Sequence, residues 1–366
     1  MSAAPPVEAS NVVIAAFGAV TSIGLDAQMT RASVRCGLTR VASDLDIRDN
    51  THGNPVALGL LQVLGKTPLA DRMETLATEA AQEALEPWHR WAESSHHPPA
   101  IPLLLSVPPP RPGFEGQSQS KLARALLRRL GGAVDATQSK LLATGHSGGL
   151  SAVAQALLLL QNSRTPACLV GGVDSPRSSD YLHWLDACGR LKRKGQPHGF
   201  IPGEGAGFLL LCTKEFAARA HWTPVAEILR VSNTLEPRLW FQGMATQGQG
   251  LTEAFWQVLH GTNGPALRAD VTYCDLNGES WRSDEWALAY LRTGKHHGEP
   301  LNLHHPADCW GDVGAATSPL LLGLAAQALA EQEDNELKTA LVWAASDVQP
   351  WRAACLLRRL TRKAPS

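Results

Sequence analysis

The sequence predicts an α/β protein, and three observations carry that expectation. Short apolar segments of strand character alternate with helical patterns over most of the chain. Several of the strand segments, such as 167–173 and 207–211, show no in/out alternation, as expected of strands covered on both faces. The 366 residues are 44 % hydrophobic and 18 % charged, with 33 Lys+Arg against 34 Asp+Glu. That is enough chain for one large core or two fused ones, and the charge balance gives no reason to expect nucleic acid or a membrane surface as partner.

In chain order, strands are expected at 11–17, 101–107, 140–144, 167–173, 207–211, 225–231, 271–276, 339–344 and 353–357. Helices are expected at 72–85, 120–130, 147–161, 251–260, 284–292 and 319–331, the last with Pro319 in its first turn, where a missing N–H costs nothing. The Pro-rich run 108–113, the pair Pro98-Pro99 and the polar run 190–198 mark loops. Two halves emerge, 1–215 and 216–366, meeting near 216–223, and they could be a distant duplication.

Seven cysteines at 36, 168, 188, 212, 274, 309 and 355 form no CxxC pair. The pattern suits buried or free thiols in a reducing compartment rather than a disulfide framework or a structural zinc site. The apolar stretch 12–25 has no basic segment before it and no small-residue cleavage pattern after it, and the runs 156–160 and 319–330 are too short for a bilayer. A cytoplasmic protein without metal or cofactor is expected.

Four ordered segments carry a family likeness: VVIAAFGAVTSIGLD (12–26) with DRMETLATEAAQEAL (71–85), CLVGGVDS (168–175) with GFIPGEGAGFLLL (199–211), CDLNGES (274–280), and GDVGAATSP (311–319). Together they resemble the β-ketoacyl synthases, the carbon–carbon condensing enzymes of fatty-acid and polyketide synthesis. The resemblance implies the thiolase-like, five-layered αβαβα fold of two duplicated halves with mixed sheets. It also implies a dimer formed by pairing of the strand at 167–173 or its neighbours across a two-fold axis. Gly203, Gly205 and Gly207 allow close backbone approach, and Glu204 can accept hydrogen bonds from exposed backbone donors, a structural assignment.

The same resemblance locates the chemistry. Such an enzyme attacks an acyl thioester with a cysteine on a strand–turn–helix, its thiol activated by the helix N-terminus and its oxyanion held by backbone N–H groups, and uses two histidines in decarboxylation. In LLATGHSGGLSAVAQAL (141–157), aligning Ser147-Gly148 puts Gly145 at the nucleophile position. Asn277 falls where the first histidine belongs and Gly311 where the second does, with Pro306 at an expected lysine. Asparagine cannot shuttle a proton near neutral pH. The gating loop corresponds to ASDVQPWRAACLL (345–357), with Pro350 and Trp351 in place of flexible glycines. Condensation is expected to be absent, since losing one member of a cooperating set already removes most of the rate. His146, Trp281, Trp310 and Trp351 are expected at the pocket, the indoles filling the former acyl tunnel.

Two further readings stay open. GHSGG (145–149) is formally a G-x-S-x-G nucleophile elbow, which would make Ser147 the nucleophile of a hydrolase or acyltransferase with Asp275 and His304 or His305 as partners. The chain could also retain acyl or acyl-carrier-protein binding without turnover. His304, His305, Asp308 and Cys309 match no metal-ligand spacing, and the pairs His96-His97 and His296-His297 read as exposed loops. The basic residues Arg190, Lys192, Arg193, Lys194, Arg128 and Arg129 read as solvated faces or as a docking surface for an acidic carrier protein. The expected function is that of a non-catalytic scaffold or partner subunit. It would pair with itself or a related synthase, like a chain-length factor, or serve as an accessory protein beside a secretion component.

Overall fold

The apolar runs fold into strands covered on both sides. The computed structural model describes residues 5–9, 11–49, 53–162, 165–262, 265–331 and 337–360. After the short β1 (Val7–Glu8) come β2 (Val12–Thr21) and a separate hairpin, β3 (Ala42–Arg48) with β4 (Pro55–Leu58). The first half continues with β5 (Ile101–Ser106), β6 (Val134–Leu142), β7 (Ala167–Asp174) and β8 (Gly205–Thr213). The second half supplies β9 (Ala226–Leu235), β10 (Val271–Cys274), β11 (Leu303–His304), β12 (Thr339–Ala345) and β13 (Trp351–Arg358).

Their spatial orders, β2-β8-β7-β5-β6 and β9-β13-β12-β10-β11, repeat one topology. In each block the first two pairings are antiparallel and the last two parallel. The blocks join where Val13 pairs with Glu227 and Ile14 with Ala226.

The helices are α1 (Ala27–Arg35), α2 (Leu69–Glu93), α3 (Gly116–Leu130), α4 (Gly148–Asn162), α5 (Ser179–Ala187), α6 (Lys214–Arg219), α7 (Gln249–His260), α8 (Ser280–Thr293), α9 (Ala307–Trp310) and α10 (Thr317–Glu331). One outer core lies between α2, α3 and the first block, another between α7, α8 and the second. The central core packs α4 and α10 between the blocks, giving the five layers of the thiolase-like fold. That position explains why α10 is apolar all round: residues such as Leu320, Leu321, Leu322 and Leu324 are all buried, so no polar stripe is needed. Among the described residues no helix is long and apolar enough to cross a membrane.

The Gly-rich entry to β8 behaves as its sequence suggests. A Cβ on Gly203 would stand 2.1 Å from the Trp310 carbonyl oxygen, so only glycine permits that approach. Glu204, fully buried, accepts hydrogen bonds from Leu61 N–H (2.7 Å), Arg72 (3.2 Å) and the Ser175 hydroxyl (2.7 Å).

Three sequence expectations change. The strand at 167–173 cannot pair across a two-fold axis, because β7 has β5 on one side and β8 on the other; the edge of this block is β6, whose middle residues are exposed. His297 is buried against Phe255, Trp286 and Tyr290 rather than exposed, and burial pushes its pKa down to about 4. The hairpin β3–β4 and the short helices α1, α5 and α6 were not expected from the sequence.

Candidate functional site

Four loops meet where strands end and helices begin. β6 runs through Thr144 into the turn Gly145–Ser147 and then α4; the loop after β10 carries Asn277; the segment after α9 carries Gly311 and Asp312; the turn after β12 carries Ser346 and Asp347. In open α/β folds such strand-end crevices are the usual place for a ligand. Here three of them, all but the Asn277 loop, border a cavity of about 300 Å³ whose walls include Pro109, Tyr181, Trp184 and Phe200 and whose polar lining is Arg111, His146, Asp174, Asp312 and Asp347.

Gly145 turns with φ +67°, and a Cβ there would meet nothing closer than Pro109 and Ser346 at 3.7 Å and the Asp347 carboxylate at 4.0 Å. The elbow and its space are present without a side chain. Gly311 differs: with φ +84°, its Cβ would stand 2.8 Å from the Ile201 carbonyl and 3.0 Å from the Gly203 backbone. No side chain fits at 311 without moving the backbone.

The residues that fill the site are ionic. His146 Nε2 lies 2.7 and 3.0 Å from the two Asp312 oxygens. Asn277 Nδ2 donates to Asp312 at 2.6 Å, and Gly314 N–H donates to it at 2.9 Å. Arg190 donates two bonds to Glu279 (2.8 and 3.0 Å) and one to Asp347 (2.8 Å). Arg282 bridges Asp275 to the Ala345 carbonyl. Burial opposes protonation of His146, but Asp312 and Asp347 outweigh it and raise its pKa above the usual imidazole value. Burial likewise disfavours the charged Asp312, yet His146 and Arg282 hold its carboxyl well below the usual range; Arg190 and His146 do the same for Asp347. The result is a histidine biased toward its protonated form beside two carboxylates, one at hydrogen-bond distance and one at 3.9 Å.

The positions singled out by sequence separate accordingly. Gly145, Asn277 and the Gly311 segment do converge, and His146 lines the cavity. The three indoles do not line it: Trp281 is in the outer core of the second block, Trp310 in the central core, and Trp351, 36 % exposed, starts β13.

Ser147 is also misplaced for hydrolysis. It is fully buried, and its hydroxyl exchanges a 2.8 Å hydrogen bond with Ser346. His304 stacks on Tyr273, His305 pairs with Asp308 at 2.8 Å, and Asp275 is taken by Arg282. No imidazole activates this serine, because the elbow turns its hydroxyl into the core instead of the cavity.

Arg190 is no solvated patch residue but a buried cross-link, and Arg193 pairs with Asp186 at 3.2 Å, leaving Lys192 and Lys194 at the surface. Among the cysteines none lines the cavity, and burial pushes Cys168 and Cys212 up to about 12. Sequence reading passed over Asp312 and Asp347, although both stand inside quoted motifs; only the fold, which brings His146 to a partner 166 positions away, reveals them.

Residues 138–217 match the family model described as β-ketoacyl synthase, N-terminal domain. No curated protein matches the chain at significant sequence similarity. Among solved structures, a type II polyketide-synthase acyl-carrier protein in complex with its ketosynthase aligns with a TM-score of 0.76 and 14 % identity, over 96 % of this chain and 100 % of that one. The ishigamide ketosynthase/chain length factor gives 0.70 and 18 %, over 96 % and 100 %. The ketosynthase from module 6 of the bacillaene synthase of Bacillus subtilis 168 gives 0.74 and 12 %, over 96 % of this chain and 73 % of that one. These likenesses establish the fold.

Proposed function

We propose that this chain, whose fold matches that of solved ketosynthases, is a β-ketoacyl synthase-like protein that acts without condensing chemistry, as a partner or scaffold subunit. One observation supports the reading: the three loops that would present thiol and imidazoles come together, Gly145 at the cavity wall and Asn277 bonded to Asp312 beside Gly311, and Gly311 has no room for a side chain. Nucleophile and proton donors are missing together, so the rate from any surviving contacts falls by orders of magnitude.

A subunit role is supported by the shape that remains. The edge strand β6 offers unpaired backbone groups along an exposed polar stretch, a surface suited to pairing with a second copy or a related synthase in the cytoplasm. One of the similar structures is described as a ketosynthase/chain length factor and another as a ketosynthase with its acyl-carrier protein, so a related synthase and a carrier protein are the partners to test first.

The test is intact-mass analysis after incubation with acyl and malonyl thioesters, together with copurification. The expected result is an unmodified chain, no carbon dioxide release, and a stoichiometric self or synthase complex. An acyl adduct or malonyl decarboxylation would overturn the reading.

A further inference from the structure

We propose that β3, β4, α5 and the segment 190–200 form a cover over the cavity beside Gly145, which opens as one unit while the large sheet and its central helices stay folded. Three observations carry this: a separate core, roots gathered at one point, and a latch made of charge.

Ile47, Val56 and Leu58 from the hairpin pack with Leu182 and Leu185 of α5 and with Leu191 and Phe200, a cluster distinct from the two outer cores and the central one. The hairpin is a two-stranded sheet that joins no strand of the large one. Tyr181 and Phe200 from this cluster, with Trp184 packed against it, line one part of the cavity; Pro109, Gly145, His146 and Asp312 from the sheet-end loops line another. About 300 Å³ of space therefore lies where packed layers have interlocking side chains, so the cover gains little dispersion energy from the loops it faces.

Four stretches of chain lead into or out of the cover, and three of them meet at the buried Glu204. Leu61 N–H donates to its carboxylate at 2.7 Å just after β4, and the Ser175 hydroxyl donates to it at 2.7 Å ahead of α5. The chain leaving Phe200 reaches Glu204 through Gly203, which bridges to Gly59. A unit pinned at one place can swing without unfolding the elements it hangs from.

Two arginines span the cover and the loops. Arg190, 3 % exposed, donates to Glu279 at 2.8 and 3.0 Å and to Asp347 at 2.8 Å, which ties the cover to the second half. From the loop after β5, the Arg111 guanidinium lies 3.9 Å over the Tyr181 ring. Buried ion pairs regain hydration when they separate, so such a latch releases at smaller net cost than a well-packed apolar seam. Opening unroofs the cavity. Nothing in this depends on the non-condensing reading, and an acyl adduct found by mass analysis would overturn that reading alone.

Native-state hydrogen exchange of the intact chain, read by mass spectrometry from zero to sub-denaturing urea, tests the cover. Hydrogen-bonded amides in peptides from β4, α5 and 190–200 should exchange at least about tenfold faster than those of β7 and α10. They should also share one urea slope, smaller than the global one. Arg190→Met should speed the cover peptides at least about tenfold further, with β7 and α10 keeping their wild-type rates. Cover peptides that follow the global isotherm, or that exchange along three separate isotherms as independently frayed pieces do, would overturn the proposal on the wild-type chain alone. An Arg190→Met effect spread equally over all segments, loss of folding included, would overturn the latch.

Discussion

Substituting alanine at Gly311 measures how firmly the fold has closed the second imidazole position. The backbone there has φ +84°, and the added Cβ would stand 2.8 Å from the Ile201 carbonyl oxygen and 3.0 Å from Gly203 Cα and N. Left-handed backbone costs an L-residue about 1–2 kcal/mol, and forcing a methyl against fixed backbone adds roughly 1–3 kcal/mol. The total is about 2–5 kcal/mol. Gly37 is the control: its φ is +63°, but nothing lies within 4 Å of the added Cβ, so only the backbone part applies. Urea unfolding should give Gly311→Ala a lower midpoint than Gly37→Ala, by at least about 1 kcal/mol after scaling by the slope. Loss of soluble Gly311→Ala with soluble Gly37→Ala counts the same way. Equal stability of the two variants would refute the claim that this position is sterically closed, and the loss of the histidine would then be a change that substitution alone could reverse.

Other expectations follow from the same loops. His146 has its pKa raised in the fold, so its contribution to stability is complete below its unfolded value near 6.5 and is lost as pH rises through the folded value; the stability gap between wild type and His146→Gln should shrink on going from about pH 6 to pH 9 in urea titrations. Arg352 and Glu285, both almost wholly buried, form a two-bond pair (2.5 and 2.7 Å), and Arg352→Met should destabilise the fold by about 3–5 kcal/mol by stranding the carboxylate, with Arg352→Met/Glu285→Leu recovering most of it by the same assay. A fluorophosphonate probe should not label the wild-type chain; labelling that disappears in Ser147→Ala would mean that the buried hydroxyl does reach an activating base.

Much of the fold was legible because its strands and central helices are buried by their own composition. β5, β7 and β12 are apolar runs on both faces, and their expected limits differ from the observed ones by a residue or so. β6 was placed only at its apolar end, since an edge strand of sequence VDATQSKLL satisfies half its backbone by exposure and shows no hydrophobic pattern. α1 escaped notice because its buried positions are Ala27, Thr30 and Ser33, small residues that leave no apolar stripe; the readable signal was Asp26, whose side chain caps the helix through Met29 N–H. The site was half legible. Family likeness singled out Gly145, Asn277 and Gly311, whose loops the fold brings together, but the ionic groups there pair across loops more than a hundred residues apart, as Arg190 does with Asp347, and no spacing encodes that.

The ionic web also bears on the proposed non-condensing reading. Asp312 holds His146 and Asn277 while Arg190 ties Glu279 to Asp347, so the turns after β6, β10 and β12 and the segment after α9 are braced to one another by buried charge. A proton shuttle needs a group whose two protonation states are close in energy at working pH. Here Asp312 and Asp347 are held below the usual carboxylate range and His146 is raised above the usual imidazole value, so each group is biased toward its charged form rather than balanced between two. Cysteine introduced at 145 would find space beside Pro109 and Ser346, its Cβ 4.0 Å from an Asp347 oxygen, so that carboxylate and the neighbouring His146 would act on its thiol in opposite senses. On the proposed non-condensing reading, restoring condensation therefore requires changes in several of these loops at once rather than at one residue.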